Sequence, residues 1–258
     1  MTLTLTPLTG IPLVQPGDNL AALLWDALAA AQLPLADGDI LVLAQKIVSK
    51  AEGRLVHLSQ VTPSARAHEL ADRTQKDPRL IELILQESCA VLRTRPGTII
   101  VEHRLGFVCA NAGIDHSNVC PADAAPLDPE GWVLLLPHDP DASAAALQAD
   151  LARRSGRQLG VLIIDSHGRA WRLGTVGVAI GIAGLPALAD LRGQPDLFGF
   201  RLRITQVGVA DELAAAASLV MGQAAEAVPA VHVRGFPYPL REASLSELIR
   251  PAEQDLFR

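Results

Sequence analysis

This chain of 258 residues carries only three cysteines and three lysines, and its longest apolar run is broken by glycine and proline. Cys89, Cys109 and Cys120 are odd in number and show no Cys-x-x-Cys spacing, which speaks against a structural zinc site and fits ordinary thiols in a reducing compartment. The apolar run, residues 176–189, falls short of the roughly 20 residues that a membrane-spanning helix needs. The N-terminal Met1-Thr2-Leu3-Thr4-Leu5-Thr6-Pro7 has neither the basic segment nor the apolar core of a secretory leader. The expectation is a soluble cytoplasmic protein with no membrane partner.

Positive charge is scarce as well. Lys and Arg total 22 against 28 Asp and Glu, and a net charge of −6 argues against a nucleic-acid groove as the main function. Lys46, Lys50 and Lys76 are the only lysines, and two of them lie four residues apart. Signature loops are missing too. Without G-x-x-x-x-G-K-[ST], any nucleoside triphosphate is held by something other than a Walker loop, and Gly174, Gly177, Gly181 and Gly184 lack the G-x-G-x-x-G spacing of a dinucleotide fold. Those glycines read instead as sites of close backbone packing. No G-x-S-x-G elbow supports a serine hydrolase. The seven histidines form no H-x-H or H-x-x-x-H pair, and no internal repeat is visible.

What is present is a globular chain. An apolar fraction of 49% with 19% charged residues makes one large domain or two modest ones. Residues 10–14 read as a strand entrance, and Pro16-Gly17-Asp18 precedes Leu20, Leu23, Leu24, Ala27, Leu28 and Ala31 at helical period. A buried strand over 39–44 runs into Gln45-Lys46-Ile47-Val48-Ser49-Lys50. Thr62-Pro63 and Asp77-Pro78 each predict a helix start. Residues 91–95, 98–103 and 107–110 suggest an antiparallel meander. The Pro-rich stretch 120–131 reads as a linker, the place for any domain boundary. Beyond it come a strand over 132–136, a helix from Asp139-Pro140 to Gly156, a buried strand over 159–164, a strand over 201–207, a helix over 210–221 stopped by Gly222, and a core strand over 228–234. Ser244-Leu245-Ser246-Glu247 has the form of a capping box. The division expected is a main region 1–243 and a short helical tail 244–258.

Three strand ends are loaded with polar groups. Phe107 to Ala110 leads through Ala112-Gly113 to Asp115, Ser117 and Asn118; residues 39–44 lead to the lysine pair; residues 159–164 lead to Asp165-Ser166-His167-Gly168-Arg169-Ala170-Trp171-Arg172. Asp115, Asn118, Asp165 and Ser166 are hard oxygen donors suited to Mg²⁺ or Mn²⁺. Each carboxylate alone is explained by a turn or a salt bridge. Two that follow buried strands at similar positions make a metal site an equal reading. Lys46 and Lys50 could neutralise a polyphosphate or simply be solvated, and Arg169 and Arg172 around Trp171 form either an anion clamp or a stacking pair.

Five ordered blocks carry a family resemblance: Gly-Ile-Pro-Leu at 10–13, Gln-Lys-Ile-Val-Ser-Lys-Ala-Glu-Gly-Arg at 45–54, Cys-Ala-Asn-Ala-Gly-Ile-Asp-His-Ser-Asn at 109–118, residues 165–172, and Val-Met-Gly-Gln at 220–223. The sequence resembles the coenzyme F420-0:γ-glutamyl ligase family from Gly10 to about Gly235. The resemblance implies an α+β fold of mixed sheets with flanking helices, and an intertwined homodimer. It implies a GTP-dependent ligase that joins L-glutamate to the lactyl carboxylate of F420-0 through an acyl phosphate and extends a γ-linked tail. Two divalent cations, Mg²⁺ or Mn²⁺, with a monovalent cation as a further candidate, would accompany GTP. Asp115, Asn118, Asp165, Ser166 and Gln223 carry over as metal ligands, and Asp115 and Asp165 as the catalytic pair. Gly10, Ile11, Pro12, Leu13, Lys50 and the segment from Met221 onward, with Gly222 and Gln223, carry over to GTP, with Gln45 beside them and Lys46 added on charge alone.

There are departures from the family pattern. Ser166 stands where threonine is frequent, which keeps the hydroxyl, and His167 and Ala170 replace phenylalanine and proline. The chain length leads to the expectation of the ligase form without the nitroreductase-like extension of some relatives. A metal-dependent phosphohydrolase would use the same carboxylates, and a regulatory module would bind GTP without turnover.

Overall fold

The computed structural model describes residues 2–119 and 131–256. Its strands are β1 (Thr4–Leu8), β2 (Ile40–Ala44), β3 (Leu55–His57), β4 (Ser88–Arg95), β5 (Thr98–His103), β6 (Val108–Ala110), β7 (Trp132–Leu134), β8 (Gly160–Arg169), β9 (Arg172–Ala183), β10 (Ala189–Asp190), β11 (Gln206–Val207) and β12 (Ala230–Arg234). The α-helices are α1 (Leu20–Ala30), α2 (Gln45–Ala51), α3 (Ala65–Thr74), α4 (Pro78–Gln86), α5 (Pro140–Ser155) and α6 (Val209–Met221). The fold is α+β with mixed sheets, as expected. Among the described residues no helix is long and apolar enough to cross a membrane.

The central sheet runs β1-β12-β2-β8-β9. Only β2 and β8 are parallel; the other pairings are antiparallel. Ile40, Leu41, Val42 and Leu43 of β2 are wholly buried, as a strand covered on both faces requires. Leu41, Leu43, Val161 and Ile163 face the layer that holds α1 and α5, while Val42, Leu162 and Ile164 face α6. A second core, built from α3, α4 and the meander β4-β5-β6, lies beneath the 107–114 segment. Local chemistry sets several boundaries. Asn19, Asp77 and Asp139 accept from backbone N–H groups at the starts of α1, α4 and α5, and left-handed Gly156 ends α5.

Several expectations are corrected. The first strand is β1, whose Pro7 is tolerated because β1 is an edge strand; residues 10–14 form the irregular segment after it. The helix expected at Thr62-Pro63 begins at Ala65, because Ser64 rather than Thr62 supplies the cap. Asp165 and Ser166 lie inside a strand, since β8 continues to Arg169 and turns back into β9. Of residues 201–207 only Gln206 and Val207 are in a strand with more than an isolated bridge. Ser244 makes no side-chain cap; its hydroxyl pairs with that of Ser246, and the tail forms short 3₁₀ turns at Leu245–Glu247 and Ala252–Gln254. Apart from Gly131, the expected linker lies outside the described residues, as does Cys120.

Register brings distant segments to one edge of the sheet. Ala44 pairs with Ile164 in the parallel β2 and β8, so Gln45 and Asp165 leave that register side by side. Leu43 and Leu8 both pair with Ala230, and the Ala44 amide donates to Pro229 O at 2.9 Å. The segments after β1, β2 and α6 therefore meet where β8 carries Asp165 and Ser166. Crevices beyond the carboxyl ends of parallel strands are common ligand sites.

Candidate active site

A cavity of about 400 Å³ opens at this edge. Ile11, Pro12 and Leu13 line it together with Gln45, Lys46, Lys50, Asn118, Asp165, Ser166, Met221, Gly222 and Gln223. Twelve of the predicted site residues are thereby brought together. Gly10, with φ +76°, sets the turn into the lining segment without being part of the lining, and Asp115 stands behind the lining. The loop 224–229, including Glu226, continues the segment that begins at Met221 into the lining, whereas Ser218, three residues before Met221 on α6, was not singled out in the sequence.

Asp115 is held from two sides. Its backbone N–H and C=O exchange hydrogen bonds with Leu134 at 3.0 and 2.9 Å. Its Oδ2 accepts from Gln45 Nε2 at 2.7 Å and contacts the Lys46 ammonium. Lys46 also donates to Ser117 O, and Lys50 donates to Asn118 O at 2.8 Å, so successive turns of α2 grip the 115–118 segment. Asn111, Ala112 and Asn118 have positive φ, and Gly113 packs so tightly that a Cβ would meet Leu136 Cδ1 at 2.6 Å. Such clustered left-handed residues persist only where the surroundings determine them.

Burial pushes the Asp115 carboxyl up; Lys46 opposes that rise, and the nearby Asp165 carboxylate adds to it. His167 Nε2 lies 3.0 Å from Asp165 Oδ2 but has no hydrogen-bond partner in suitable geometry, and its ring tilts against Phe107. On the other face of β8, Ser166 Oγ donates to Gln223 Oε1 at 2.9 Å and Gln223 Nε2 donates to Ser218 Oγ at 2.9 Å. Asn118 Nδ2 reaches Ala224 O, joining the 115–118 segment to the loop after α6. Burial, with Asp165 adding to it, pushes the Cys109 thiol up to about 12, which makes it inert as a nucleophile.

Among the described residues no group of three or more His, Cys, Asp or Glu is placed to hold a metal. The site offers a different set: two mutually repelling carboxylates with amide and hydroxyl oxygens around them. That set fits hard cations rather than zinc, and the ammonium on Asp115 shows that cationic charge is accommodated there.

The model of the family described as F420-0:Gamma-glutamyl ligase matches residues 10–235. The chain belongs to that family. A coenzyme F420:L-glutamate ligase of Methanothermobacter thermautotrophicus is 49% identical over the full length of both chains. The enzyme of the same description from Methanopyrus kandleri is 47% identical over 95% of this chain and 93% of its own, and that from Archaeoglobus fulgidus is 42% identical over 98% and 95%. Membership in the F420-0:gamma-glutamyl ligase family identifies a ligase. All five motif blocks lie in the matched span, and each supplies residues to the cavity lining.

Proposed function

We propose that this ligase uses GTP to join L-glutamate to the lactyl carboxylate of F420-0, and then extends a γ-linked oligoglutamate tail. The observation that carries the reading is the convergence of Lys46, Lys50, Asn118, Asp165, Ser166 and Gln223 on one cavity at the edge shared by β2 and β8. Amide formation from a carboxylate requires an activated acyl group. The F420-0 carboxylate, already ionised, attacks the γ-phosphorus of GTP; GDP leaves, and the acyl phosphate is then attacked by the glutamate amine, which loses a proton as phosphate departs. Such a phosphoryl transfer depends on positioning and charge neutralisation. Lys46 and Lys50 offset phosphate charge, while Gly10, Ile11, Pro12, Leu13, Gln45, Met221, Gly222 and Gln223 shape the nucleotide cleft. Two Mg²⁺ or Mn²⁺ ions would supply further neutralisation and polarise the phosphoryl group; Asp115, Asn118, Asp165, Ser166 and Gln223 would hold them.

The test is incubation with F420-0, GTP, Mg²⁺ or Mn²⁺ and L-glutamate. Mass spectrometry should detect addition of a glutamate residue that depends on GTP. GTP consumption without that addition indicates a phosphohydrolase, and nucleotide binding without turnover indicates a regulatory module; either result overturns the reading. The proposed assembly is a homodimer, supported by the exposed Leu197, Phe198 and Ile204 on the 191–205 segment and Trp171 and Leu173 at the β8–β9 turn. An apolar group of this kind favours a protein partner. Sedimentation giving a monomer at micromolar concentration would contradict the dimer.

A further inference from the structure

The most completely buried polar chain leading toward the site begins at a residue outside the cavity. Ser49 is fully buried on α2, and its Oγ donates to Gln45 Oε1 at 2.8 Å one turn earlier. Gln45, also buried, donates through Nε2 to Asp115 Oδ2 at 2.7 Å. The direction of this chain is dictated by its end. An ionised carboxylate only accepts, so Gln45 must present its NH₂ to Asp115 and turn its oxygen toward Ser49, which must donate. Without the Ser49 hydroxyl the amide oxygen would be buried without a donor, and rotation of the amide would point that oxygen at a carboxylate.

We propose that Ser49 and Gln45 are positioning residues for Asp115: Ser49 locks the orientation of the Gln45 amide, and Gln45 fixes the Asp115 carboxylate so that Oδ1 is left for a cation. Among the described residues Oδ2 takes both the Gln45 amide and the Lys46 ammonium, whereas no hydrogen bond reaches Oδ1. The backbone pairing of Asp115 with Leu134 fixes the main chain, and the Gln45 bond fixes the remaining side-chain freedom. Outer partners that orient a ligand typically affect metal affinity by about 10- to 100-fold. Because Ser49 acts through Gln45, its effect is contained within that of Gln45.

The inference rests on the metal reading of Asp115, and one titration separates the two. Mn²⁺ binding is followed by the paramagnetic resonance of free Mn²⁺ for the full-length protein, Ser49→Ala, Gln45→Met, the double variant, Ser49→Thr and Asp115→Asn, with melting curves for each. Ser49→Ala and Gln45→Met should each weaken Mn²⁺ about tenfold or more. The double variant should be no weaker than Gln45→Met alone, since coupled residues are not additive. Ser49→Thr, which keeps the hydroxyl, should restore affinity. Unchanged Mn²⁺ affinity in a folded Ser49→Ala, or additive losses in the double variant, overturns the relay. Should Ser49→Ala not fold, Gln45→Met binding Mn²⁺ as the unsubstituted protein does would overturn it equally. An unsubstituted protein that does not bind Mn²⁺, or an Asp115→Asn variant that binds it unchanged, overturns the metal reading on which the relay stands.

Discussion

Gly177→Ala is a small substitution that should disturb the site from behind. Gly177 sits in β9 directly opposite Ser166. A Cβ there would lie 2.5 Å from Ala214 O and 2.6 Å from Ser218 Cβ, both on α6. The near atom is helix backbone, so no rotamer change relieves it, and α6 must withdraw by roughly 1 Å to restore ordinary contact. Overpacking of this kind costs about 1–3 kcal/mol. The reduced freedom of the unfolded chain returns about 0.4–1 kcal/mol. A net loss of about 1–2 kcal/mol should lower Tm by roughly 2–8 °C in a chain of this size. Ser218 moves with the helix, and it holds Gln223, which accepts from Ser166. GTP affinity should therefore fall several-fold alongside stability. Gly168→Ala is the control, because nothing lies within 4 Å of a Cβ there and its φ is ordinary; its stability should change by less than about 0.5 kcal/mol. Thermal melts and calorimetric GTP titrations of both variants provide the measurement. A Gly177→Ala protein with unchanged Tm and GTP affinity would refute the close packing of α6 on β9.

Further outcomes follow from buried charges. Burial holds His103, fully enclosed beside Glu87, down from 6.5 to about 4. The unfolded chain takes up a proton near 6.5 and the folded chain only near 4, so this stabilisation is complete above pH 6.5 and is lost as pH falls toward 4. The loss amounts to roughly 3 kcal/mol, and urea unfolding at pH 7 and pH 4.5 should show it in the unsubstituted protein and not in His103→Gln. Asp39 accepts from Arg234 and His232 at the far end of β2; burial raises its carboxyl, but these partners more than offset that and hold it low. Asp39→Asn should destabilise by about 3 kcal/mol in chemical denaturation, without altering GTP affinity below the melting temperature. Lys50→Met should weaken GTP by about tenfold, the scale of one charged hydrogen bond, measured calorimetrically; unchanged affinity would remove Lys50 from the nucleotide cleft.

Legibility of the sequence followed the range of the forces involved. The unbroken apolar run of β2, the Asp-Pro starts of α4 and α5 and the Gly222 stop of α6 are local signals, and each marks an element that forms. β1 was misplaced because an edge strand needs neither strict alternation nor the exclusion of proline. The length of β8 was underestimated because Asp165 to Arg169 is polar at the end of a hairpin, where solvent replaces the core. Most of the cavity residues were legible through their motif blocks. The contact of Gln45 and Lys46 with Asp115, about seventy residues away, was not, because it depends on the pairing of Asp115 with Leu134. Ser49 was unreadable for the same reason: its role exists only once Gln45 has a carboxylate to face.

The central claim is that GTP activates the F420-0 carboxylate for attack by glutamate. F420-0 carrying isotopically heavy oxygen in that carboxylate, turned over with GTP and L-glutamate, tests it directly. The account predicts one heavy oxygen in the released inorganic phosphate for each molecule of labelled F420-0 that acquires its first glutamate. Phosphate released without label, or without glutamate addition, would contradict it.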